Sequence, residues 1–192
     1  MNKKLTSYLE QTKEAFLNLS KLEEVILHTS KLLIRALEEG NKILIFGNGG
    51  SASDAQHLAA EFVGRFESKR KPLAAIALNT DTSIITALSN DFGYDEIFSI
   101  QIDALGKKGD VAIGISTSGK SKSILKGLKK AKQGQLTTVF LTSKLYTDNK
   151  DYIDHLIKVD AERTGVIQQL HITIGQAMCL VVDEYYSDEE NN

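Results

Sequence analysis

The stretch FGNGGSASDAQHLAAEF, Phe46–Phe62, decides how the rest of the chain is read. It follows the apolar run KILIF (42–46), turns through glycines and enters a segment of helical spacing, so it reads as strand, turn and helix. The same order recurs along the chain. The runs LAAIAL (73–78), DVAIGI (110–115) and LTTVFL (136–141), with LIKV (156–159) as a fifth strand, alternate with helical patterns over 51–63, 81–89 and 120–132. Apolar strands separated by helices need cover on both faces, which predicts an α/β fold: a five-stranded parallel sheet flanked by helices.

Outward from that core, apolar residues from Leu5 to Ala36 recur at helical spacing and predict two helices ending at Gly40. Their apolar stripe asks for a partner. Residues 1–40 are therefore assigned to oligomerisation and 41–186 to the α/β core of a single domain spanning 1–192. The segment 166–186 reads as a long helix, apolar on more than one side and hence buried between the sheet and a second subunit. The closing SDEENN (187–192) is acidic and polar and is expected to be disordered.

With 25% charged residues and a formal net charge of −2, the 192-residue chain lacks the basic excess of a nucleic-acid or anionic-membrane binder. Short basic clusters such as Lys69-Arg70-Lys71 and Lys129-Lys130 read as solvated faces. MNKKLTSYLEQ has no signal-peptide core, and no apolar run is expected to reach the length of a membrane span. A lone cysteine, Cys179, excludes an intramolecular disulfide and a multi-cysteine metal cluster; among apolar neighbours it reads as a buried, inert thiol of a soluble, cytoplasmic protein.

Two loops, GNGGSAS (47–53) and STSGKS (116–121), leave the carboxyl ends of expected strands and open helices, where open α/β sheets bind ligands. Glycines admit a close ligand, and helix N-termini favour an anion. The hydroxyls of Ser116, Thr117, Ser118 and Ser121 add neutral donors that suit a phosphate monoester. GISTSGKS (114–121) also satisfies the nucleotide-binding pattern G-x-x-x-x-G-K-S. Gly114, however, falls inside an apolar run rather than at the start of the turn, and LTTVFLTS supplies no acidic residue for Mg²⁺.

On the helix after the first loop, His57 and Glu61 stand one turn apart and about 40° apart around the axis, so both can face one ligand. A carboxylate among Leu58, Phe62 and alanines suits a general base. Two such groups do not by themselves make a zinc site.

Taken together, GNGGSASDAQH (47–57), ALNTDTS (77–83), SNDFGYDEIFS (89–99), GISTSGKS and IQQLHI (167–172) resemble the phosphoheptose isomerases, the sedoheptulose 7-phosphate isomerases of the sugar-isomerase (SIS) fold. The resemblance implies a homotetramer whose neighbouring helices complete each site. It also implies a sugar phosphate held by Ser51, Ser116, Thr117, Ser118 and Ser121, with Asn48, Gly49, Gly50, Arg65, Asn90 and Asp91 as further substrate contacts. Glu61 becomes the proton-transfer residue, with His57 and Gln168 near the reacting end. Some members carry zinc on residues matching His57, Glu61 and Gln168 and on a histidine eight positions later.

Here that histidine is Gln176, and the usual Arg-Ile-Gln-Glu reads Val166-Ile167-Gln168-Gln169. Glutamine neither shuttles a proton at neutral pH nor ligates zinc well. His171, about 140° from Gln176 on a helix, does not replace it within one subunit; reaching in from a neighbouring subunit is the role left to it. The expectation is a cofactor-independent aldose–ketose isomerase that makes D-glycero-D-manno-heptose 7-phosphate for bacterial lipopolysaccharide or capsule heptose, with Glu61, His57, Gln168 and Gln176 at the chemistry. The alternative is a non-catalytic module that binds a phosphosugar or a protein such as the replication initiator. A relative with that role also lacks the late histidine, but it lacks the glutamate too.

Overall fold

The computed structural model describes residues 2–190. Helices α1 (Lys3–Leu17) and α2 (Glu23–Glu38), joined by a 3-10 turn, lead into β1 (Ile43–Gly47) and α3 (Gly50–Val63). Next come β2 (Ala75–Ala77), α4 (Thr82–Phe92), α5 (Ile97–Leu105), β3 (Val111–Ile115) and α6 (Lys122–Gln133). Strands β4 (Thr137–Ser143) and β5 (His155–Val159) and the helix α7 (Thr164–Glu190) complete the fold.

All five strands are parallel, in the order β2-β1-β3-β4-β5. From β1 the chain first builds outward to β2 and then crosses back to β3. That reversal places a crevice beyond the carboxyl ends of β1 and β3, where α/β sheets take ligands. Phe46 pairs with Gly114 and Gly47 with Ile115, so the two glycine loops leave adjacent strands at the same level.

Alternation along the strands divides the core in two. Ile43, Ile45, Val111, Ile113, Val139 and Leu141 face α1, α2, α3 and α7. Leu44, Phe46, Ala112 and Phe140 face α5 and α6, with Ile85 and Leu88 of α4 packed at the margin. Gly114 serves that second face: a Cβ there would stand 3.0 Å from Ile124 and 3.1 Å from Leu128 of α6. Its role is close helix packing inside a strand, which removes the first glycine of the nucleotide-binding pattern from any turn.

Several expectations are corrected. Helix α5 was not foreseen, because Ile97, Phe98, Ile100 and Ile102 fit no clean helical stripe and favour strands by type. The tail expected to be disordered begins in helix, since α7 runs to Glu190; residues 191–192 lie outside the described residues. Contrary to the expectation of no such run, Thr164–Ser187 is long and apolar enough to match a membrane span, with mean hydropathy 1.4. Half of that window is buried, and α7 packs on α2, α3 and β4 as the central helix of one layer. Arg70, expected on a solvated face, is buried.

Candidate active site

At the loop end, Gly49 has φ +57°, a left-handed conformation that glycine adopts without strain, and so turns β1 into α3. At Gly50 a Cβ would stand 2.2 Å from the Gln168 amide nitrogen, so the bare backbone there is what the Gln168 side chain of α7 lies against at the start of α3. Ser51 and Ser116 are buried, while Ser118 is exposed. Asn48 links the two loops: its amide donates to Ser121 Oγ at 2.8 Å and to Ser123 Oγ at 3.0 Å. Its oxygen accepts from Tyr94 at 2.7 Å. Ser121 holds the N-cap position of α6 without capping it through its side chain, so the hydroxyl belongs to the crevice. Asn90 and Asp91 bond each other on the exposed end of α4. Arg65 is exposed beyond the C-terminal end of α3, the end away from both loops.

The other end lies in the seam between α3 and α7. His57 Nε2 stands 3.1 Å from Glu61 Oε1, with the His57 side chain 54% exposed and that of Glu61 11%. Gln176 donates to the same oxygen at 3.2 Å. The second oxygen of Glu61 is buried without a hydrogen-bond partner. Below it, burial and then the Glu61 carboxylate push the Cys179 thiol far up, so the cysteine stays protonated and inert as expected.

Within one chain the four residues expected together divide into two groups. His57, Glu61 and Gln176 meet in the seam, whereas Gln168 lies against Gly50. His171 does not reach outward to a neighbour. It is 0% exposed, and its Nε2 faces the Thr142 carbonyl at 3.0 Å. Burial, offset in part by that bond, lowers its pKa to about 4.

Sequence reasoning missed Asp54, which precedes His57 by three residues on the same side of α3. One of its carboxylate oxygens is buried without a partner, and burial, opposed by His57, raises its pKa to about 6. The signal available was position: 54, 57 and 61 share a helical face. A zinc ion is not well served by one chain. Gln176 turns an amide nitrogen to Glu61, Gln168 is elsewhere, and among the described residues no three His, Cys, Asp or Glu side chains converge.

A family model described as the SIS domain matches residues 7–143. The chain belongs to the SIS domain family. This SIS domain is 47% identical to a probable phosphoheptose isomerase of Thermoplasma acidophilum, over 93% of this chain and 97% of that one. It is 46% identical to the phosphoheptose isomerase of Aquifex aeolicus, over 95% and 94%. The solved phosphoheptose isomerase of Neisseria gonorrhoeae superposes on the SIS domain with a TM-score of 0.85 at 39% identity, covering 95% of this chain and 98% of that one.

Proposed function

We propose that this chain is an aldose–ketose isomerase that interconverts sedoheptulose 7-phosphate and D-glycero-D-manno-heptose 7-phosphate through an enediol, for heptose biosynthesis in the cytoplasm. The observation that carries the reading is Glu61, a nearly buried carboxylate with one oxygen bonded by Gln176 and 3.1 Å from His57 Nε2, and the other without a hydrogen-bond partner. A binding module has no use for such a group. Relatives that match this chain over nearly its whole length are named phosphoheptose isomerases.

In the open-chain ketose, Glu61 removes a proton from C1 and the C2 carbonyl becomes a hydroxyl, giving the enediol. Return of the proton to C2, with loss of the O1 hydroxyl proton, gives the aldose. His57, with Nε2 3.1 Å from Glu61 and its side chain half exposed at the seam, is the group on hand to exchange protons with O1 and O2. Gln176 keeps the carboxylate in place and moves no proton. Phosphate rests on the hydroxyls of 116–121 and the N-terminus of α6.

Eleven residues of α3 separate Gly50 from Glu61, a rise of about 16 Å. Eight residues of α7 separate Gln168 from Gln176, about 12 Å. We therefore place each site between copies, the loops of one chain facing the seam of another, in a homotetramer. Leu5, Leu9 and Leu17 of α1, at 56%, 57% and 70% exposure, supply apolar surface for that assembly, and α4 has no buried residue in the single chain.

Incubation of the purified protein with sedoheptulose 7-phosphate, with and without chelator, is expected to yield the aldose phosphate in both. Light scattering is expected to give a tetramer. Binding of the sugar without conversion would instead make the chain a phosphosugar-binding module.

A further inference from the structure

Glu61 is held from behind as well as in front. After α3 the chain doubles back and carries Arg70, from the run Lys69-Arg70-Lys71, into the interior, where its side chain is 0% exposed. One terminal nitrogen of the guanidinium donates to the Glu61 carbonyl at 2.7 Å. The other donates to the carbonyls of Phe62 at 2.9 Å, Lys71 at 3.0 Å and Gly64 at 3.3 Å. Carbonyls in the last turn of a helix have no partner within it, and a cation there meets the negative end of the dipole.

Arg70 Nε donates to Asp183 Oδ1 at 2.6 Å. Asp183, 1% exposed, accepts at its second oxygen from the amides of Phe66 at 3.1 Å, Glu67 at 2.8 Å and Ser68 at 3.0 Å. Burial alone would raise the Asp183 pKa; the Arg70 guanidinium and these amides outweigh it and hold the carboxyl below its usual range. Asp183 stands seven residues after Gln176, two turns along the same face of α7. One helix thus grips Glu61 twice: Gln176 bonds its carboxylate, and Asp183, through Arg70, bonds its backbone.

We infer that Arg70 and Asp183 are positioning residues for the reaction, setting the height of Glu61 along α7 and hence the reach of its carboxylate toward the reacting carbon. This rests on the reading of Glu61 as the base. A buried ion pair adds little stability over apolar packing, because desolvation offsets the attraction. What a planar, forked guanidinium supplies is fixed geometry.

The test is steady-state kinetics on sedoheptulose 7-phosphate with Arg70→Lys, Ser68→Pro and, as a control on the far edge strand β5, Ile157→Ala. Lysine keeps the charge but cannot span Asp183 and the helix carbonyls together, and misplacing a reacting group by an ångström costs up to about 10²-fold. Arg70→Lys is expected to lower kcat about tenfold or more and to displace the pH profile of kcat, with KM within about twofold because the phosphate end is untouched. Ser68→Pro deletes one of three amide donors while both charged side chains of the pair stay in the chain; kcat is expected to fall roughly two- to threefold or more at constant KM. Ile157→Ala is expected to lower Tm and keep kcat.

Wild-type kcat in both clamp variants overturns the inference, as does an equal loss of kcat in Ile157→Ala. Should Arg70→Lys not fold, Ser68→Pro decides alone. A wild-type protein that converts no sugar overturns the functional reading and this one with it; an active wild type with unmoved variants overturns only this one.

Discussion

The two ends of the proposed site are built on different principles. At the loop end, neutral side chains from adjacent strand ends bond one another, and Asn48 to Ser121 spans a crevice made by sheet topology. At the seam end, ionisable groups stand between two long helices, and Glu61 meets Gln176 only because α3 and α7 dock in one register. A loop can recognise phosphate with donors that carry no charge. Proton transfer needs a group whose position is defined from several sides, and helices anchored at both ends provide that.

Glu61→Gln tests the contrast most severely. Isomerisation is expected to fall by about 10²–10⁴-fold, with sugar binding kept, since the amide preserves shape and loses basicity. Turnover measured beside calorimetric binding reads both; full activity would put the chemistry elsewhere than in the seam.

Next comes acid sensitivity, which the seam side should carry. His171 is shifted down from 6.5 to about 4. The unfolded chain therefore binds the extra proton between those values, and the stability His171 contributes is present above about pH 6.5 and lost as pH falls toward 4. For a shift of that size the change is about 3 kcal/mol. Asp54, shifted up from 3.8 to about 6, works with the opposite sign: its contribution is lost as pH rises through that interval. The two offset between about pH 4 and 6. Urea unfolding of His171→Gln is expected to uncover the Asp54 slope, with stability falling as pH rises relative to wild type; an unchanged profile would contradict the lowered His171 pKa.

Gln176→His asks whether the seam can be turned into a metal site. Zinc affinity by equilibrium dialysis is expected to rise by at least the roughly 10-fold that a supporting partner of a metal site is worth. No gain would show that the seam geometry, beyond the missing ligand, is unsuited to zinc.

The smallest effects belong to the loops. Ser118→Ala and Ser121→Ala are each expected to weaken sugar-phosphate binding by roughly 1–2 kcal/mol, read as a higher KM with kcat little changed. Unchanged KM in both would move the phosphate away from 116–121.

What was legible in the sequence follows the same division. The strands, the glycine turns and the His57/Glu61 pair are local patterns, and each appears close to where its pattern lay. Helix α5 was hidden because its β-branched and aromatic residues carry no clean helical stripe. The contact of Gln168 with Gly50, the bonds of Asn48 to residues more than seventy positions away and the burial of Arg70 on Asp183 depend on tertiary docking. A basic tripeptide looks the same whether its middle residue faces water or a buried carboxylate, so nothing in Lys69-Arg70-Lys71 announced the clamp.

Helix α7 is apolar enough to pass for a membrane segment, yet it is encoded after all five strands. Chains grow at about 5–20 residues per second and fold from the N-terminal side as they emerge. The surface that receives α7 has therefore left the ribosome before the helix does, and its sticky faces meet a waiting groove rather than open solvent. A circular permutant that puts α7 first would lose that protection during synthesis while keeping every contact of the finished protein.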